Sequence, residues 1–206
     1  MPVHLLDPRT ALVLIDLTKG ITALPTIDPV EAVISNAARL AGAFRARNLP
    51  VVLVRVAFSA DGGDVLRSRV DTPAPTVRLG PHFADLRQEL APALTDIVVT
   101  KRGWDAFYGT ELDLQLRRRK VTGIVLAGLM TSIGVESTGR HASELGYEIA
   151  VAVDAVSDSA RSAHENSLRV ILPRIAQLDL TDAILAALDT NTLDMAHHPR
   201  GVEETH

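Results

Sequence analysis

An aspartate and a lysine each close an apolar run in this chain, a pattern that can set an acid beside a base. Asp16 follows Ala11-Leu-Val-Leu-Ile15, and Lys101 follows Ile97-Val-Val-Thr100. If both runs are parallel strands, their polar ends share the sheet edge where ligands of open α/β proteins bind. Lys101 close to Asp16 would lower the carboxylate's pKa and burial would raise it, and the sequence leaves both open. The plainer readings are a turn or cap residue for Asp16 and an exposed strand end for Lys101. A third polar feature of that edge is Gly128-Leu-Met-Thr131, a turn into a helix whose N–H groups favour negative charge. Met130 and Thr131 on this turn are candidate substrate contacts. So are Trp104 and Phe107 as pocket walls, with core packing the alternative for Phe107. Arg55, near the end of another apolar run, could bind a carboxylate or form a structural ion pair. Ser132 is a hydroxyl without an evident histidine base, and a helix N-cap is its other role.

These residues need strands to hold them, and the chain alternates β-branched runs with helical patterns throughout, the signature of βαβ units. Strands are expected at 11–16, 51–56, 97–101, 123–127, 147–153 and 175–178. Asp28-Pro29 is placed as N-cap and N1 of a helix through Val30, Val33, Ala37, Leu40, Ala41 and Phe44. A short helix is expected at 83–90. Thr110 caps another, running into Arg117-Arg-Arg-Lys120, whose cations suit a helix C-terminus. Further helices are expected at 132–145, closed by Gly146 as C′, at 163–172 and at 181–188. The stretch 57–81 has Gly62-Gly63, Pro73, Pro75 and Gly80 and no sustained period. It is expected to be a partly ordered flap over the sheet's carboxyl edge. One domain is expected over 1–188, with the polar stretch 189–206 a disordered tail.

Composition narrows the classes. Hydrophobic residues make up 47% of the 206 and aromatics only 3%, so the core must be Ala, Val, Leu and Ile, as suits a buried parallel sheet. A net charge of −4 gives no reason to expect nucleic acid or an anionic membrane as partner. With no cysteine, disulfides, thiolate metal sites and thiol nucleophiles are excluded. The histidines form no HxxxH or DxH arrangement, so neither a metal nor another cofactor is expected. No apolar run is long enough to span a membrane and no leader is evident, so a cytoplasmic protein is the default.

Four segments together resemble the isochorismatase-like superfamily in order and spacing. They are Leu12-Val-Leu-Ile-Asp16, Lys101-Arg-Gly-Trp-Asp-Ala-Phe-Tyr-Gly-Thr110, Gly128-Leu-Met-Thr-Ser-Ile-Gly-Val-Glu-Ser-Thr138 and Asp154-Ala-Val-Ser-Asp158. The resemblance implies a three-layer α/β/α sandwich around a six-stranded parallel sheet. It also implies a hydrolase site in which most members use an Asp, a Lys and a Cys on a small substrate. Asp16 and Lys101 match the first two, and Gly134 stands at the third. Members that bind zinc or iron carry a histidine motif after the second strand, which Val56-Ala-Phe-Ser-Ala60 lacks. True isochorismatases also have glycine at the third position, but tend to carry a tyrosine and a histidine near Met130 to Ser132. The present turn, with His164-Glu-Asn-Ser-Leu168 downstream, is more similar to a glycine-bearing bacterial group of unassigned substrate. Glycine closes the covalent thiol route and is expected to leave space for substrate or water. Two functions then fit: a metal-independent hydrolase using Asp16 and Lys101, or a small-molecule-binding protein that has lost catalysis. The family habit implies a homodimer or higher homo-oligomer.

Overall fold

The computed structural model describes residues 6–72, 80–90 and 92–197, the side chains of 191–197 excepted. Six strands form one all-parallel sheet: β1 (Thr10–Ile15), β2 (Val51–Val56), β3 (Ile97–Lys101), β4 (Gly123–Leu129), β5 (Glu148–Ser157) and β6 (Gln177–Asp179). Their order is β3-β2-β1-β4-β5-β6. The order reverses between β1 and β4, so their carboxyl ends open a crevice, the usual ligand position in such sheets.

The central strands are apolar on both faces because helices cover both. Leu12, Leu14, Leu53, Val125 and Ala127 pack with Val33, Ala37, Leu40 and Phe44 of α2 (Val30–Ala46) and Ile184 of α6 (Thr181–His197). Ala11, Val13, Ile15, Val54, Val99 and Leu126 face Leu112 and Leu116 of α3 (Leu112–Arg118) and Ala142 of α4 (Glu136–Glu144). This is the expected three-layer sandwich.

Several boundaries differ from expectation. A one-turn helix, α1 (Lys19–Thr22), follows β1, with Thr18 Oγ1 accepting from the Ile21 N–H. Asp28 does not cap α2 through its side chain; Pro29 holds the cap position and the Asp28 carboxylate accepts from Ser157 Oγ. The helix expected at 83–90 reduces to turns, one bridge between Leu86 and Thr18, and a 3₁₀ turn at Gln88–Leu90. Phe83 lies across Gly20, where an added Cβ would meet its ring at 2.0 Å. That contact and the Thr18 bridge pin the segment and override its helical pattern.

The helix expected at 132–145 divides into a π-helical turn, Thr131–Val135, and α4. The next divides into α5 (Arg161–Asn166), a π-helical turn at Ser167–Ile171 and a 3₁₀ turn at Leu172–Arg174. Gly146 closes α4 at φ +80°, as expected. α6 runs beyond Leu188 to His197, since no glycine or proline interrupts the sequence before Pro199; residues 198–206 lie outside the described ones. Of the long loop, 57–72 and 80–81 are described, and 73–79 lie outside. Its first part is tied to the edge of β3 by an Arg102–Asp64 ion pair of 2.7 Å. Among the described residues no helix is long and apolar enough to cross a membrane.

β5 carries the main irregularity of the sheet. Leu126 of β4 pairs with Val151, but Gly128 pairs with Val156, so β5 inserts three extra residues at a bulge. Asp154 in the bulge accepts from both the N–H and Oγ1 of Thr181, capping α6, while its carbonyl accepts from Asn36 Nδ2 of α2.

Candidate active site

Asp16 and Lys101 meet at the crevice. Strict alternation would send Asp16 to the α2 face with Leu12 and Leu14, whereas Lys101 follows Ile97 and Val99 on the opposite face. Asp16 instead takes φ +53°, a left-handed conformation uncommon outside glycine but accessible to aspartate. Its Oδ2 then lies 2.8 Å from Lys101 Nζ. Two strand spacings, about 9–10 Å, separate β3 from β1, so the long lysine side chain is what lets β3 reach β1 past β2.

Both side chains are almost fully enclosed, Asp16 being 6% and Lys101 1% exposed. Lys101 Nζ also donates to the Trp104 carbonyl at 2.5 Å. Asp16 Oδ1 has no hydrogen-bond partner among the described residues, unusual for a buried carboxylate oxygen. Burial pushes the Asp16 carboxyl above the ordinary carboxylate range and outweighs the opposing pulls of the Lys101 ammonium and, more weakly, the Val56 backbone N–H. The balance left open by sequence therefore falls to desolvation.

Gly134 sits on the π-helical turn against this pair. A Cβ there would lie 3.1 Å from Lys101 Nζ, 2.8 Å from Ile15 Cγ2 and 3.2 Å from the Leu129 carbonyl oxygen. The position adjoins the pair as the motif implies. It is not the open space expected of a missing side chain, because Ile15 fills toward the glycine backbone.

The turn is held from three sides. Gly128, at φ +118°, lets β4 approach β1 so closely that a Cβ would fall 2.1 Å from the Ile15 carbonyl oxygen. The Ser132 N–H and Oγ both donate to Asp158 Oδ2 at 2.7 Å, while Asp158 Oδ1 accepts from the Ser159 N–H. Thr131 Oγ1, fully buried, is 2.9 Å from His164 Nδ1 of α5. Glu136 of α4 accepts from Ser167 at 2.5 Å, joining the two π-helical turns. On the other flank, the Ala106 N–H donates to Thr138 Oγ1 and Asp105 bonds His141 Nδ1 at 2.6 Å, docking the 104–110 loop onto α4.

The remaining candidates separate. Trp104 is 64% exposed beside Lys101, free to offer its indole face to a ligand. Phe107 is buried, its ring 5.8 Å from Tyr147 and 5.3 Å from His141, so the core alternative describes it rather than a pocket wall. Arg55 lies on the β2 face opposite Lys101 and donates from Nε to Thr100 Oγ1 at 3.1 Å, a neutral contact and not the anticipated ion pair. Met130 packs in the α2-side core beside the fully buried Thr131. Ser132 lies inside the π-helical turn and donates to Asp158, so it is not the N-cap of its other reading; Met130 holds that position without a side-chain cap bond. Sequence reasoning missed Asp158, although it ends the Asp154–Asp158 segment, and passed over His164, although it opens a run used for the resemblance. Among the described residues no group of three His, Asp or Glu side chains is placed to hold a metal ion.

The isochorismatase domain matches residues 10–182. The isochorismatase family protein YecD of Escherichia coli O157:H7 is 46% identical over 182 residues, covering 87% of this chain and 96% of its own. YwoC of Bacillus subtilis, another isochorismatase family protein, is 44% identical over 179 residues, covering 86% and 93%. Among solved structures, an isochorismatase family protein from Burkholderia thailandensis superposes with a TM-score of 0.87 at 42% identity, covering 92% of this chain and 99% of that one. The domain match spans most of the chain and the relatives share its length and fold, so the chain belongs to the isochorismatase family of hydrolases.

Proposed function

We propose that the protein hydrolyses a small, carboxylate-bearing molecule by metal-independent acid–base chemistry, with no covalent enzyme intermediate. The observation that carries this reading is Asp16: a buried carboxyl, held toward its protonated form, with one oxygen unpartnered and the other 2.8 Å from Lys101 Nζ. Such a group is suited to general acid catalysis near neutral pH. On a vinyl ether, Asp16 delivers its proton to the terminal methylene carbon. The oxocarbenium carbon formed is captured by water, which loses a proton. The resulting hemiketal breaks its C–O bond to give a ketone and an alcohol. Lys101 stabilises the Asp16 carboxylate left by the first step, and Gly134 supplies no nucleophile. Trp104 offers the exposed substrate surface in this reading, with Met130 and Thr131 buried behind it as support for the turn, and the exposed Trp104 and Tyr108 fit a homo-oligomer that covers them.

The near-complete enclosure of the pair favours a second reading, a small-molecule-binding protein on the same fold. A turnover assay on isochorismate and a panel of small amides, read by mass spectrometry, separates the two. Product formation that disappears in Asp16→Ala supports the hydrolase. Ligand binding by wild type with no turnover overturns it in favour of the binder.

A further inference from the structure

At the other end of the sheet, a cavity of about 480 Å³ opens beneath the amino ends of β1, β2 and β4. Arg9, Arg45, Arg119, Asn48, Thr10 and Thr95 line it, and no carboxylate does. Each guanidinium retains N–H groups for a ligand. Arg45 engages Asp96 through Nε and Nη2 only, at 3.1 and 2.6 Å, leaving Nη1. Arg119 is braced on its own helix through Nη1, which donates to the carbonyl and Oε1 of Gln115, leaving Nε and Nη2. The Arg9 guanidinium has no acceptor among the described residues. Asp96, whose side chain is only 1% exposed, offsets Arg45 from behind.

With Arg45 offset by Asp96, Arg9 and Arg119 line the concavity without a carboxylate partner among the described residues, and an anion between them relieves their mutual repulsion. Guanidinium forks match tetrahedral oxyanions, which offer several acceptor oxygens at once. The volume is that of a small-molecule site, and the chain's overall negative charge opposes a nucleic-acid surface. We infer that this cavity is an accessory site for a phosphate-bearing small molecule, separate from the Asp16 crevice. Thr10, on the cavity lining, stands at one end of β1, while Asp16 follows the other end.

Titration calorimetry and thermal melting of the full chain in phosphate-free buffer, at ionic strength fixed with sodium chloride, test this. Inorganic pyrophosphate should bind saturably at one site per chain. At a hundredfold excess over Kd it should raise the melting temperature by about 5–10 °C. Arg9→Ala and Arg119→Ala should each weaken binding at least tenfold. Arg39→Ala, an exposed arginine paired with Asp182 elsewhere, and Asp16→Asn should not change it. Adenosine monophosphate binding more than tenfold tighter than pyrophosphate identifies an organic phosphate ester as the ligand. Comparable affinities identify the phosphate group alone. Absence of saturable heat, or unchanged binding in Arg9→Ala and Arg119→Ala, overturns the inference. So does a short DNA duplex that binds through the same arginines more tightly than either probe.

Discussion

Asp16 concentrates the chemistry of this molecule, and its left-handed backbone, enclosure and unpartnered oxygen each have measurable consequences. Asp16→Asn keeps the shape but removes the transferable proton, so turnover should fall by about 10²–10⁴-fold while circular dichroism stays native. The same carboxyl should shape stability. The native state holds its proton above the ordinary value of 3.8, where the unfolded chain has already released it. Native protein therefore binds more protons across that window, and stability should fall as pH rises from about 4 through the native value. Urea unfolding at a series of pH values should show this slope in wild type and lose it in Asp16→Asn. Gly134→Ala should cost about 1–3 kcal/mol in the same assay, since its Cβ presses Ile15 and crowds Lys101; an unchanged midpoint would mean that Ile15 yields freely. Asp16 and Lys101 were legible because a charged residue closing an apolar strand is conspicuous. His164 and Asp158 were not, because their partners, Thr131 and Ser132, lie 33 and 26 residues away and no local pattern encodes that distance.

The turn carrying Gly134 is a π-helical segment that neighbouring elements hold in place. Asp158→Ala would strip the half-buried Ser132 N–H and hydroxyl of their acceptor, a loss of about 1–3 kcal/mol. Amide exchange should also quicken across 131–135 before it does in α4. Gly128→Ala should be harsher, because its Cβ would meet backbone, the Ile15 carbonyl, which cannot swing aside. Little soluble folded protein is the expected result on expression and gel filtration. Existence and type were readable for the strands and for α2, where the apolar period is long and clear. Pinned and interrupted segments were harder. The 80–90 stretch follows contacts with Thr18 and Gly20, and a single helical period cannot distinguish α-helix from the π-helical turns that α4 and α5 adjoin.

The three-layer architecture was legible because it depends on average composition and alternation, to which every residue contributes. Strand order depends on which crossover goes to which side, and that is recorded in no single segment. Light scattering should give a mass that is a multiple of 22.1 kDa, as the proposed homo-oligomer requires; a particle of only that mass would contradict it. The β5 bulge relates the parts of the molecule in a further way. Residues before it keep register with β4 and β6, those within it anchor α2 and α6, and those beyond it, Ser157 and Asp158, reach Asp28 and the Gly134 turn. Its three surplus residues make that reach adjustable. Lengthening or shortening the chain there would advance or withdraw Asp158 while the first half of the strand kept its pairing. Descendants of this fold could thus retune the crevice by changing loop length within a strand, leaving the residues of the site untouched.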